Sequence, residues 1–220
     1  MGQLNPNGAI FLSAGVPDAN APHFMGAGDT AAISAAVSAL LYVTLGRRRL
    51  VWGGHPSITP MVWSYAETMS VNYGSWVKLY QSEIFEDEFP EETALFQNVV
   101  ITERDGDQAG SLEYMRKRML DETEFGAAVF IGGMKGIIDE YVLFKERQPQ
   151  AAIIPVMSTG GAAEILGAQL GVTPSLASQL DYVALLHKML EIDPNEQRYA
   201  TPEQQPESLE VRIVRPEHRA

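Results

Sequence analysis

A chain of 220 residues, 45% of them hydrophobic, is long enough for one domain with a full core and too short for two ordinary ones. Its 16 basic and 28 acidic residues leave a formal charge of −12, without the basic excess a phosphate-backbone binder needs, so neither nucleic acid nor an anionic membrane is an expected partner. The absence of cysteine excludes disulfides, thiol nucleophiles and cysteine metal sites, and no apolar run approaches the roughly 18 residues of a membrane span. The N-terminal MGQLNPNGAIFLSAG lacks the basic start and cleavage site of a secretory signal, and a soluble cytoplasmic protein is expected.

In chain order, AIFLSAG (9–15) is apolar, β-prone and ends in small residues, which predicts a strand. DTAAISAAVSALLYVTLG (29–46) carries apolar residues at helical spacing, with Asp29 placed to cap its start and Gly46 to end it. RLVWGG (49–54), WVKLYQS (76–82), NVVITE (98–103), GAAVFIGG (126–133) and AAIIPVMSTGG (151–161) repeat the strand signature, each separated from the next by a helical candidate. SLASQLDYVALLHKML (175–190) predicts one helix whose stripe of Leu176, Leu180, Val183, Leu186 and Leu190 packs on the core. Near-continuous apolar strands separated by helices predict an α/β fold with a parallel sheet covered on both faces. From residue 193 proline and charge take over, so 1–192 is read as a single domain and 193–220 as a polar tail, loosely packed or not packed at all.

Four predicted strands end in small or polar residues: Ser13-Ala14-Gly15, Gly53-Gly54-His55, Gly132-Gly133-Met134 and Ser158-Thr159-Gly160-Gly161. In a parallel sheet these ends share one edge, where open α/β folds bind ligands. Glycine there admits close backbone approach, and the following helix offers N–H groups to an anion; the commoner use of a lone Gly-Gly is a tight turn. The combined reading is an anionic small molecule at the carboxyl edge. A Rossmann dinucleotide loop is not supported, because no G-x-G-x-x-G follows the first strand and GGMKG has the wrong spacing, and a Walker A loop fails because no Gly-Lys-Ser/Thr occurs. His55 is placed to donate to a ligand oxygen or to serve as a structural hydrogen-bonder. Ser57 and Thr59 cap a helix or face the ligand, while Tyr80, Gln81 and Ser82 end a strand where the aromatic ring stacks on a base or belongs to the core. His23, His55, His187 and His218 do not form metal-ligand spacing with acids, so neither a metal nor a cofactor is expected. No G-x-S-x-G elbow appears.

GGHPSITP, YQSEIF, SLEYMRKRM, FIGGMKGIIDEYVLF and STGGAAEIL, in this order, resemble the SLOG superfamily. That group contains the LOG-type phosphoribohydrolases, the DNA-processing Smf/DprA proteins and the ligand-sensing domains of some antiphage systems. The resemblance runs from about residue 9 to about residue 168. It implies a Rossmann-like, doubly wound, mostly parallel sheet with helices on both faces and a nucleotide site at its carboxyl edge. It also implies a homo-oligomer paired through helices, and a separate effector protein if the chain is a sensor. The LOG motif Pro-Gly-Gly-x-Gly-Thr-x-x-Glu, with an arginine on the preceding helix, maps by resemblance onto Gly132, Gly133, Gly136, Glu140 and Arg116. Ile131 stands in place of the proline, Ile137 in place of the threonine, and Lys135 lengthens the loop by one residue; these departures bear on hydrolysis more than on anion binding.

Breaking an N-glycosidic bond develops positive charge on the ribose, which a carboxylate stabilises while a cation orients phosphate or hydroxyls. Glu140 and Arg116 suit those roles as a catalytic pair. The alternative is structural: Asp139 and Glu140 are placed in the first turn of a helix, where acids are favoured in any case. Two functions follow, a sensor or sequestering protein for a nucleotide-derived or NAD-derived signal (ADP-ribose-like or cyclic), and an N-glycosidic hydrolase.

Overall fold

The computed structural model describes residues 4–18, 24, 28–69 and 73–214, so His23 and His218 lie outside it. Its central strands, Ala9–Gly15 and Phe125–Gly132, are buried on both faces because both faces are covered. All seven residues of β1 (Ala9–Gly15) are buried. Alternation sends Ile10, Leu12 and Ala14 towards Ile33, Val37 and Leu40 of α1 (Thr30–Thr44), and Ala9 and Phe11 towards the opposite core layer. There Phe11 stacks on Phe144 at 5.3 Å and meets Phe125 edge-on at 5.8 Å.

After α1 come β2 (Leu50–Trp52), α2 (Thr59–Thr68), the single turn α3 (Tyr73–Trp76), β3 (Val77–Ser82) and β4 (Val99–Thr102). The chain returns through α4 (Gln108–Asp121) and adds β5 (Phe125–Gly132), α5 (Lys135–Arg147), β6 (Ala152–Val156) and α6 (Gly161–Gln169). The six strands are all parallel, in the order β4-β3-β2-β1-β5-β6. Strand order therefore reverses between β1 and β5, where Gly15 lies beside Gly132, and such a switch point opens a crevice at the carboxyl edge.

Local signals set the element ends. Asp29 caps α1 as its spacing predicts, its carboxylate accepting from the N–H groups of Ala31 at 2.9 Å and Ala32 at 3.1 Å. Asp29→Ala is expected to cost about 1 kcal/mol in a urea titration, the usual loss for an exposed N-cap. The predicted helix 175–190 is instead broken into α7 (Pro174–Ala177) and α8 (Tyr182–Met189). Asp181 accepts from the N–H of Ala184 at 3.0 Å and so starts a new helix. Leu180 falls ahead of that start and is 70% exposed, while Leu186 and Leu190 remain buried against α1.

The expectation of a loosely packed tail is also corrected. Glu196 is buried and accepts from both terminal nitrogens of Arg48, at 2.6 and 3.0 Å, while its carbonyl accepts from Arg47 Nε at 2.7 Å. Trp76 Nε1 donates to the carbonyls of Tyr199 and Ala200, and the last helix, α9 (Leu209–Arg212), brings buried Arg212 to 3.7 Å from Glu196. Residues 193–214 thus close the amino-terminal edge of the sheet, where Arg47 to Arg49 lead into β2. One of the charges that make this segment read as solvated, Glu196, is neutralised by Arg48, 148 residues earlier in the chain. Among the described residues no helix is long and apolar enough to cross a membrane.

Candidate functional site

At the carboxyl edge the ends of β1, β2, β3 and β5 surround one cavity of about 260 Å³. Ala14 and Gly15, Gly53, Gly54 and His55, Gln81 and Ser82, and Gly133, Met134 and Gly136 line it, together with Arg116 and Glu140. Gly133 is required by its own turn: it sits at φ +72°, and a Cβ there would lie 2.2 Å from Ile137 Cδ1. At Gly15 the missing side chain leaves room beside the His55 ring, whose Nε2 would be 3.7 Å from a Cβ.

Glu140 is held from two sides. Ser13 Oγ donates to its Oε2 at 2.5 Å, and Arg116 Nε donates to its Oε1 at 3.0 Å, while Arg116 Nη2 reaches the carbonyl of Gly136 at 3.4 Å. Because α5 begins at Lys135, Glu140 and Asp139 stand in its second turn, not the first, and Glu140 is positioned by these partners instead of by the helix dipole. Each carboxylate oxygen keeps a further lone pair, so the group can accept sugar hydroxyls or face positive charge on a sugar carbon. No side chain caps α5, which leaves first-turn N–H groups and the positive dipole end beside Met134 and Gly136 for an anion.

His55 is exposed at the cavity mouth. The N–H of Ser57 donates to its Nδ1 at 3.2 Å, which assigns the ring proton of the neutral form to Nε2, on the side of Gly15. Burial of its inner side pushes its pKa below the ordinary histidine value against the pull of the Glu140 carboxylate, and solvent at the mouth tempers the effect. Ser57 Oγ in turn contacts His55 Nδ1 at 2.8 Å and accepts from the N–H of Val16 at 3.3 Å, tying the exits of β1 and β2 together.

Several predicted ligand contacts do not line the cavity. Thr59 is buried and its hydroxyl donates to the His55 carbonyl at 3.1 Å. Tyr80 points into the core layer with Phe11 and Phe130, its hydroxyl donating to Glu122 at 2.7 Å; burial and then that bond raise its pKa. Lys135 is exposed and paired with Asp139. Ser158 donates to the Gln179 carbonyl at 2.7 Å, Thr159 accepts from the N–H of Gly132 at 2.8 Å, and Gly160 N bonds Met157 O at 2.9 Å. The turn after β6 therefore braces the turn after β5 from behind, and Gly132 serves that brace. The glycine turns are not an anion cradle in themselves: the N–H of Gly133 is spent on Gly15 O at 2.6 Å, as that of Gly132 is on Thr159.

Sequence reasoning missed the apolar wall, made by Leu12, Phe85, Phe89, Leu112, Met115 and Ile137, and it missed Trp52. Trp52 ends β2 beside the Gly-Gly turn, a position that could have drawn notice as the ends of β1 and β3 did. Charged side chains on the lining are Glu88, Arg116 and Glu140. Among the described residues no group of three or more His, Asp or Glu could hold a metal ion.

A doubly wound parallel sheet with a built cavity at its switch point defines a Rossmann-like α/β protein. The model of the SLOG cluster3 family matches residues 23–190, and the chain belongs to that family. Among solved structures, the X-ray structure of TM1055, a structural genomics target, is 12% identical with a TM-score of 0.46, covering 73% of this chain and 81% of that one. No curated protein matches the chain.

Proposed function

We propose that the cavity binds a nucleotide-derived or NAD-derived small molecule, of the ADP-ribose or cyclic-nucleotide kind, and that the protein senses or sequesters it. The observation that carries this reading is the sharing of one cavity by Glu140 with Arg116, the uncapped start of α5 and an apolar, partly aromatic wall. These suit ribose hydroxyls, a phosphate and a flat ring respectively. The cavity, at about 260 Å³, lies just below the lower end of small-molecule sites, roughly 300 Å³. SLOG membership supports a nucleotide-related ligand in general.

A second reading, hydrolysis of an N-glycosidic bond, is favoured by the way Ser13 and Arg116 orient the Glu140 carboxylate. Against it stand Ile131 and Ile137, and the extra Lys135 in the loop. The two are separated by incubating the protein with NAD, ADP-ribose and nucleoside monophosphates. Binding alone is expected: a rise in melting temperature with no free base released, and a rise reduced in Glu140→Ala. Steady release of base that Glu140→Ala abolishes would establish the hydrolase instead, and no effect of any probe would overturn both readings.

A further inference from the structure

Buried polar groups nearly always have partners, so those left without one point to something that completes them. Among the described residues four buried side-chain atoms lack a hydrogen-bond partner, and three of them belong to residues that line the cavity: Trp52 Nε1, Gln81 Oε1 and Ser82 Oγ. The residues are 2%, 3% and 1% exposed. They end neighbouring strands, Trp52 closing β2 and Gln81 and Ser82 closing β3, whereas Arg116 stands on α4 and Glu140 on α5.

Their chemistry is mixed. An indole N–H only donates, a hydroxyl does both, and the Gln81 amide has one end tied to Thr93 Oγ1 at 3.3 Å and the other free. Because the Thr93 hydroxyl can donate or accept, Gln81 is able to present either its carbonyl or its amino group to a ligand. A phosphate could accept from Trp52, from Ser82 and from a flipped Gln81 amide, but it would bring its charge against the apolar wall with no cation among these three residues. A hydrocarbon would leave all three unsatisfied. A heterocycle edged with both donors and acceptors, seated against Phe85, Phe89 and Met115, satisfies the polar groups and the apolar wall together.

Resting on the function proposed above, we infer that Trp52, Gln81 and Ser82 form the subsite that reads the nucleobase of the ligand, with Glu140 and Arg116 taking the sugar. The test is calorimetric titration of the full chain with AMP, GMP, CMP, UMP, ADP-ribose and ribose 5-phosphate, repeated on Trp52→Phe, Gln81→Leu and Ser82→Ala. The native protein binds at least one base-bearing probe more tightly than ribose 5-phosphate, and each substitution cuts that preference by about tenfold or more. Ser82→Ala does not lower the melting temperature of the ligand-free protein, since it removes a group with no partner to lose, whereas a structural hydroxyl would lower it. Binding with no preference for a base overturns the inference and leaves the cavity as a sugar-phosphate site, and a preference that all three variants retain overturns it by placing the base against other residues. Failure of every probe to bind overturns the underlying reading and this inference with it.

Discussion

Glu196→Gln is expected to lower the free energy of unfolding by about 3–5 kcal/mol, the cost of removing one partner from a buried ion pair. The carboxylate side chain is 0% exposed, Arg48 opposite it is 2% exposed, and Arg212 lies 3.7 Å away at 4%. Arg47 adds to the burden: burial, then the neighbouring Arg198 charge, push its guanidinium down to about 10, well below its usual value although still charged at neutral pH. Glutamine keeps the shape and removes the charge, leaving a cluster of buried cations with no anion inside it. A fall in the urea midpoint at an unchanged slope is the expected readout. A loss under about 1 kcal/mol would mean that the Glu196 ion pair is not what holds the segment after residue 193 to the domain.

Gly161→Ala is expected to destabilise the protein by roughly 2–4 kcal/mol and to weaken ligand binding at a cavity it does not line. Gly161 sits at φ +61°, a left-handed conformation that costs a residue with a Cβ about 1–2 kcal/mol. The added Cβ would also stand 2.5 Å from the carbonyl oxygen of Gly133, a backbone atom that accepts from the N–H of Ala162 at 2.9 Å. Relief requires α6 and the β5 turn to move apart, and that turn sets the position of Met134, Gly136 and the start of α5. Urea denaturation gives the first effect, and the melting-temperature rise with ADP-ribose gives the second. Native stability in the variant would show that the β6 turn is not the brace its bonds to Gly132 and Gly133 describe.

Much of this was legible because it depends on short-range pattern. Continuous apolar runs such as AIFLSAG mark strands buried on both faces, and parallel pairing then puts their ends on one edge whatever the packing details. That is why Gly15, Gly53, Gly54, His55 and Gly133 were expected on one edge, while the resemblance to the LOG motif added Gly136, Glu140 and Arg116; all eight line one cavity. The candidate positions Tyr80 and Thr159 stand off the cavity for a shared cause: their partners are distant in sequence. Tyr80 is drawn from the edge by Glu122, 42 positions on, and Thr159 is claimed by the N–H of Gly132, 27 positions before it.

By itself the sequence determined the α/β class, the edge at which a ligand can sit and the residue types available there, since these follow from alternation, helical period and the placing of glycine. Only the tertiary structure decided which of those residues turn to the cavity, which brace it and which polar groups are left without partners. Hydrogen bonds and ion pairs between distant segments consume donors and acceptors that composition counts as free. The same accounting turns a proline-rich, charged segment into the closure of the sheet's other edge.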